Sequence, residues 1–444
     1  MAKIRFIDLF AGIGGTRIGF TEAADKLGYK AECVFTSEIK ESAIKAYQDN
    51  FPNEIITGDI TKVAIDNIPD FDFLLAGFPC QPFSYAGSRK GFADTRGTLF
   101  FQIEKIIKEK KPTGFLLENV EGLVSHDKEF PTDKIGRTLS TILNKLESLG
   151  YKTSWKVINA SDVAVPQNRK RIYIIGNRKE KVDLNKITGK KAKLKDILES
   201  GLPCMDTPFT KKLLSFYKVS DLQGKSIKDK RGGTDNIHSW DIELKGSVSK
   251  EQKDLLNRLL KERRKKHWAE KKGIKWMDGM TLTLKEIQSF MYPDSLFCSV
   301  DKTKLKAMLD DLVDKGYLKY EPPKQVVSIV NDSGEKFTKR EKDLNKEYGY
   351  NIVAGKLSFE ITEILDNEGI SPTLVAMDAE KLAVVDGNGV RRLTIREGLR
   401  LFGFPDTYIL SSVSHKSAFD LLGNTVVVPV IEKVASELLK ISLS

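Results

Sequence analysis

The sequence predicts an α/β fold, a doubly wound and mostly parallel sheet interrupted by a separate inserted domain. Three observations carry this expectation. Over the first 180 residues short apolar runs alternate with amphipathic stretches, the pattern of βαβ units. From about residue 205 to 356 the alternation gives way to sequence rich in Lys, Arg and Asp. From LSFEITEIL onward the chain becomes strand-rich again, and it closes on the amphipathic VVVPVIEKVASELLKI. The implied organisation is one body from 1–204 with 357–444, and a second from 205–356.

The elements follow in order. RFIDLF is a buried strand, followed by the glycine-rich AGIGG and a helical TRIGFTEAADKLG. AECVFTSE is a second strand, KESAIKAYQDNF a helix, and EIITGDI leads to FDFLLAGFPC, a strand ending at a Pro-Cys turn. GTLFFQIEKIIKEKK is helical, while GFLLENV, WKVINASD and RIYIIGNR supply three more strands. In an open sheet of this kind, sites lie at the carboxyl ends of the strands. Within the insertion, LLNRLLKERRKKHWAEKK is a basic helix. LTLKEIQSF and KTKLKAMLDDLVDKGYLKYE read as two helices followed by a strand, the spacing of a winged helix-turn-helix module at about 250–322.

Composition limits the function classes. Hydrophobic residues make up 40% and charged residues 30%, the balance of a soluble globular protein. No apolar run approaches the roughly 20 residues that span a bilayer, and MAKIRFIDLF has no signal-peptide layout, so a cytosolic protein is expected. Four cysteines, Cys33, Cys80, Cys204 and Cys298, with no Cys-x-x-Cys pair, argue against a disulfide framework or a zinc site. The net charge of +11 favours a polyanionic partner, but only weakly by itself.

Two segments carry chemistry. Phe10-Ala11-Gly12-Ile13-Gly14-Gly15 joins a strand to a helix, where glycines let a ligand approach the backbone. Arg17 stands where the dinucleotide fingerprint needs its third glycine, which counts against hydride transfer. Glu38, ending the next strand, is placed to hold ribose hydroxyls, and Asp59 to accept from an adenine amino group. The second segment, Gly77-Phe78-Pro79-Cys80-Gln81-Pro82-Phe83-Ser84, sets a cysteine just past a buried strand. A lone cysteine there reads as a buried structural thiol. Glu118 at the end of GFLLENV, with Arg169 and Arg171 in QNRKR, turns it into a constellation of thiol, acid and cations.

FIDLFAGIGG, GFPCQPFS, ENV, QNRKRIYIIG, RRLTIREGLRLFGFP and GNTVVVP stand in the order found in the DNA (cytosine-5) methyltransferases of bacterial restriction–modification systems, a family that the chain resembles over about 290 residues. The resemblance implies a fold of the S-adenosylmethionine-dependent methyltransferase type. It implies Cys80 as the thiolate that adds to a flipped cytosine, and Glu118 as the acid at ring nitrogen 3. Arg169 would support the base near its carbonyl oxygen, and Arg171 would orient Glu118 or the DNA. S-adenosyl-L-methionine is the implied methyl donor, leaving S-adenosyl-L-homocysteine. Phe10 would pack on its adenine, and Gly12 and Gly14 would border the methionine part. Glu38 would hold the ribose, Asp59 and Ile60 belong at the adenine edge, and Ala11, Gly15, Ile39 and Pro79 are further cofactor-site residues. Asn424, beginning the last helix, would close the pocket. Gln81, Ser84, Arg89, Lys90 and Arg96 would meet DNA from the loop after Cys80.

In the same family the insertion carries target recognition. Arg231, Asn236 and His238 in KDKRGGTDNIHSW are candidate base readers, since Arg suits guanine and Asn suits adenine. The implied partners are double-stranded DNA and a cognate restriction endonuclease sharing the target, with the chain a monomer. Two alternatives are the RNA-directed branch of the family and a catalytically silent DNA-binding regulator. The first is compact and carries a CFT-like segment, traits that this chain lacks; the second sits poorly with Cys80, Glu118 and Arg169 all present.

Overall fold

The computed structural model describes residues 2–78, 99–230, 235–292, 300–330, 336–353, 359–375 and 379–444. The first two hundred residues build a seven-stranded sheet from β1 (Ala2–Leu9), β2 (Tyr29–Ser37), β3 (Ile56–Thr57), β4 (Phe73–Gly77), β5 (Gly114–Val120), β6 (Lys152–Asn159) and β7 (Lys170–Asn177). Its order is β3-β2-β1-β4-β5-β7-β6. β4 and β5 are buried along almost their whole length, which is why FLLAG and GFLLENV read as continuous apolar runs rather than alternating ones. Between the strands lie α1 (Gly15–Lys26), α2 (Glu41–Asn50), α3 (Leu99–Lys110), the short α4 (Gly122–Ser125) and α5 (Arg137–Ser148). The helices turn apolar stripes inward, such as Phe100, Ile103, Ile106 and Ile107 on α3.

One strand departs from the parallel rule. β7 pairs antiparallel with both β5 and β6, while β1, β2, β3, β4 and β5 pair in parallel. The reason is the link from β6 to β7, which holds only a 3-10 turn at Ala160–Asp162. Ten residues are too few for a crossover helix, so the chain must double back.

The chain divides into two compact units. One consists of Met1–Ser200, Asp366–Glu380 and Leu393–Ser444, the other of Gly201–Leu365 and Lys381–Arg392. The second unit is thus wider than the expected 205–356 and takes in strands from the region assigned by sequence to the first. It contains α6 (Pro208–Phe216), β8 (Ser226–Ile227), β9 (Asn236–Ile237), α7 (Lys250–Glu262), α8 (Lys266–Lys272), α9 (Leu284–Met291) and α10 (Val300–Asp314). β10 (Leu318–Glu321), β11 (Lys324–Val330), β12 (Lys336–Lys342) and β13 (Gly349–Ile352) follow, then β14 (Glu363–Ile364), β15 (Leu382–Asp386) and β16 (Gly389–Arg392). A five-stranded sheet of order β16-β15-β14-β8-β9 closes over one core, which holds Phe209, Leu213, Ile227, Phe359 and Val390. A second core gathers Trp240, Leu255, Leu259, Trp268, Leu305, Leu309 and Tyr350. The basic string is two helices rather than one, α7 and α8, separated at 263–265.

The chain then returns to the first unit through α11 (Ile395–Arg400), α12 (His415–Asn424) and α13 (Val428–Leu443). α13 buries Val430, Ile431, Val434, Leu438 and Leu439. It lies so close to α1 that a Cβ on Gly19 would stand 2.7 Å from both the Ile431 Cβ and the Val428 carbonyl oxygen. Among the described residues no helix is long and apolar enough to cross a membrane.

Candidate active site

The carboxyl ends of β1, β2, β4 and β5 line one edge of the sheet, and the antiparallel β7 begins at that same edge. In register, Glu118 faces Gly77 of β4 on one side and Tyr173 of β7 on the other, while Val120 faces Arg171. Had β7 run parallel, QNRKR would sit at the opposite edge. The short loop before it therefore brings the two arginines to the acid.

Glu118 is 9% exposed, and its Oε1 lies 3.2 Å from Arg171 Nε. Burial pushes its carboxyl above the ordinary range, more than the nearby Arg171 and Arg169 guanidinium groups pull it down. The group can therefore hold a proton while remaining next to a cation. Asn119 donates to the Phe78 carbonyl oxygen at 3.2 Å, tying the end of β5 to the backbone that leads into residue 79. Pro79, Cys80, Gln81, Ser84, Arg89, Lys90, Arg96 and Arg231 lie outside the described residues.

Arg169 is placed otherwise than the resemblance implies. It is 3% exposed, and its guanidinium donates to the backbone carbonyl oxygens of Leu374 at 3.2 Å, Gly423 at 3.2 Å and Thr425 at 2.7 Å. It also lies over the Phe402 ring. These contacts direct it toward the returning chain rather than toward a base, and Arg171 is the arginine paired with Glu118.

At the other end of the edge, β1 runs into a turn in which Phe10, Gly12 and Gly14 all have positive φ. The Gly12 amide donates to Glu38 Oε2 at 2.8 Å, and Glu38 Oε1 accepts from the amides of Ile39 and Lys40. The three glycines of the turn do different jobs. A Cβ on Gly14 would meet the Phe51 ring at 2.8 Å and one on Gly15 would meet Val426 at 3.0 Å, so both serve packing. Gly12 faces open space. Ile39 is 73% exposed beside Glu38, while Ala11 and Ile60 are buried, Ile60 in the core beneath the sheet. Asp59 accepts from the Thr61 amide and hydroxyl, bonds that hold its carboxyl below the ordinary range. An open glycine, a bare isoleucine and two carboxylates on successive strand ends suit a nucleoside with an apolar face and vicinal hydroxyls.

Asn424 ends α12 rather than beginning the last helix, and its side-chain amide donates to the Asp420 carbonyl oxygen. The segment around it still reaches the turn: Tyr408 donates its hydroxyl to the Ile13 carbonyl oxygen, and Asp420 pairs with Lys40.

Two candidate base readers are engaged inside their own unit. His238 is 6% exposed, stacks on Trp240 with ring centroids 4.5 Å apart, and places Nδ1 3.1 Å from Asp241. Asn236 donates to the Lys228 carbonyl oxygen, and its own side-chain oxygen is buried. Each keeps one buried polar atom without a hydrogen-bond partner among the described residues, Asn236 Oδ1 and His238 Nε2.

Sequence reasoning passed over Asp8. Its carboxyl is fully buried under the glycine turn, and neither oxygen has a hydrogen-bond partner among the described residues. Burial pushes it up to about 7 against the pull of Arg17, and Glu38 raises it further. Its position within an otherwise apolar buried strand was the available signal.

An acid and an arginine thus stand at the carboxyl edge of the sheet beside a glycine turn backed by two carboxylates, the place where α/β enzymes build their sites. Residues 4–440 match the family of C-5 cytosine-specific DNA methylases, and the chain belongs to it. It is a DNA cytosine-5 methyltransferase, an enzyme of the S-adenosylmethionine-dependent class. It is 57% identical over 440 residues to the type II methyltransferase M.NlaIV of Neisseria lactamica, with 99% of each chain covered. The type II methyltransferase M.NgoBV of Neisseria gonorrhoeae is 56% identical over 440 residues, again with 99% of each covered. Among solved structures, a protein described as a DNA modification methyltransferase from an E. coli prophage shares the fold at a TM-score of 0.53 and 20% identity, over 99% of this chain and 100% of that one.

Proposed function

We infer that the chain methylates carbon 5 of a specific cytosine in duplex DNA through a covalent adduct to Cys80, as the modification partner of a restriction endonuclease. The observation that carries this reading is the raised, buried Glu118 paired with Arg171 at the strand edge next to the one from which the chain enters Pro79-Cys80. Carbon 5 of cytosine is a poor nucleophile. The Cys80 thiolate adds to carbon 6 while Glu118 gives its proton to ring nitrogen 3, so negative charge never accumulates on the ring. Carbon 5 then has enamine character and accepts a methyl group. A solvent water takes the carbon 5 proton as Cys80 departs as the thiolate, nitrogen 3 returns its proton to Glu118, and the aromatic ring is restored. Arg171 holds the carboxyl in place throughout. The target must leave the stack for these groups to reach it.

S-adenosyl-L-methionine supplies the methyl group when bound. Glu38 would hold the ribose, Phe10 and Ile39 would flank the adenine, Asp59 would accept at its edge, and Gly12 leaves room for the methionine part. The family match favours DNA over transfer RNA, and the relatives named as methyltransferases favour modification over silent binding. A cytosolic monomer accords with this role.

The test is incubation of the chain with radiolabelled S-adenosyl-L-methionine and duplex plasmid, followed by bisulfite sequencing. Methylation at one recurrent sequence, and a denaturant-stable complex with duplex containing 5-fluorocytosine there, are expected. A Cys80→Ser chain that still transfers methyl would overturn the covalent route.

A further inference from the structure

We propose that the corner between α7 and α8 is a face for the phosphate backbone of duplex DNA, on which Lys261, Lys265, Lys266 and Lys275 add affinity without reading bases. This rests on the reading of the chain as a DNA methyltransferase, and it gives a task to the basic string that the chemistry at Glu118 leaves unused.

Residues 258–276 hold nine lysines and arginines against two glutamates, a surplus of seven where the whole chain carries +11. Two of the nine do not reach the surface. Arg263 is 4% exposed and donates to Asn351 and to the Ile352 carbonyl oxygen, while Lys272 is drawn in against Glu286. The other seven are exposed or half-buried. The acids offset them poorly, because Glu262 is largely buried beside Lys265 and only Glu270 stands exposed. Arg258 pairs with Asp254 and Arg264 with Asp278. Among the described residues, the ammonium groups of Lys261, Lys266 and Lys275 have neither a hydrogen bond nor an ion pair.

Such a string can also serve its own helix, since cations at a helix C-terminus interact favourably with the dipole. That accounts for Lys261, in the last turn of α7. It does not account for Lys265 and Lys266, the N-cap and first residue of α8, where the dipole disfavours positive charge. Nor does it account for Lys275, which lies beyond α8. Like charges gathered on one face also repel one another. The placement destabilises the inserted unit by itself, and a bound polyanion offsets that repulsion.

The corner is held in shape by three bonds. The Met280 amide donates to the Arg263 carbonyl oxygen at 3.0 Å, the Ile274 amide to that of Ala269 at 3.0 Å, and the Trp276 indole to that of Arg264 at 2.9 Å. They fold residues 274–280 back over the link at 263–265 and so bring Lys275 to the corner. Leu259, Leu260, Trp268 and Ala269 fix the helices from beneath, in the core of the unit. The cations therefore stand on a packed surface, and less ordering is needed on binding than for a loose tail. Lysine presents a compact charge with rotatable donors, which suits phosphate and carries no sequence information. Trp276, 42% exposed, is the one open apolar ring of residues 258–276. One ring can lie against a sugar but gives too little apolar area to enter a lipid surface, which favours DNA over a membrane.

The experiment uses the full chain with S-adenosyl-L-homocysteine and follows duplex binding by fluorescence anisotropy between about 50 and 300 mM salt. Wild type is compared with a corner variant, Lys261→Ala with Lys266→Ala and Lys275→Ala. A control removes the same charge from exposed positions in the last turn of α3 and just past β7, Lys108→Ala with Lys179→Ala and Lys181→Ala. For the corner variant, the slope of log Kd against log salt should become shallower by about 2–3, alike for target and unrelated duplex. Its bisulfite pattern on plasmid should stay that of wild type, and the control should keep the wild-type slope. A corner variant with the wild-type slope would overturn the proposal; if it also lost flotation with phosphatidylserine vesicles, the face would belong to a membrane. Equal flattening in both variants would reduce the effect to net charge, and an altered site pattern would make the corner a base reader; either result refutes the phosphate assignment. Should the triple variant fail to melt cooperatively, Lys266→Ala alone decides the point, with a slope shallower by about 1. A wild type that methylates no duplex would instead overturn the function on which the proposal stands.

Discussion

Burial at the end of β5 raises the Glu118 carboxyl, and the Arg171 guanidinium 3.2 Å away draws it back down. The proposed reaction uses the protonated acid, so activity is expected to fall as pH rises through the Glu118 pKa. Removing the cation removes a lowering influence. Arg171→Ala should therefore move the alkaline limb of the kcat/KM profile to higher pH, even as the maximum rate drops; a limb moving to lower pH would refute the assignment. Glu118→Gln should lower kcat by about 100-fold or more while leaving cofactor binding unchanged by calorimetry. Asp8 gives a separate effect on stability. Its ordinary pKa is 3.8 and its folded value about 7, so the stability it contributes is present below 3.8 and is lost as pH rises through 7. Asp8→Asn should melt above wild type at pH 8, with the gap closing toward pH 4 in scanning calorimetry.

Elements rather than residues explain what could be read from the sequence. The strands of the sheet were legible because β4 and β5 are buried on both faces, and Glu38 and Glu118 were legible because each lies at or near the end of a strand. The direction of β7 was not, since it depends on a loop too short for a helix, and that direction is what makes Arg171 a neighbour of Glu118. Asn236 and His238 looked like readers because their side chains can read bases; Trp240, two residues on, stacks His238 into a core instead. Arg169 was placed at the base, yet it is a clamp between β7 and the returning chain. A lysine has one donor centre and cannot span three carbonyls. Arg169→Lys should lower unfolding free energy by about 1–3 kcal/mol and weaken cofactor binding, measured by urea denaturation and by titration. Gly19→Ala should cost about 1–3 kcal/mol as well, because the Val428 carbonyl that its methyl would strike belongs to backbone.

For the whole molecule, the sheet-bearing unit is built from three stretches of chain and the inserted unit from two. Residues 1–200 contain every strand of the seven-stranded sheet but lack α13, leaving the face of α1 around Gly19 uncovered. A fragment of residues 1–200 should be insoluble or molten by itself, and should gain cooperative melting when 393–444 is supplied as a second chain. A fragment that melts sharply alone would show that α13 is dispensable.

The distance in sequence between α1 and α13 also sets an order of events in the cell. β7 ends at Asn177 and α13 begins at Val428; at roughly 5–20 residues per second, synthesis of the roughly 250 residues between them takes about 12 to 50 s. Throughout that interval the nascent chain carries a bare apolar seam, a natural client for chaperones. It also lacks the segment that Arg169 holds beside the cofactor turn. The enzyme would be inert until α13 emerges and covers α1.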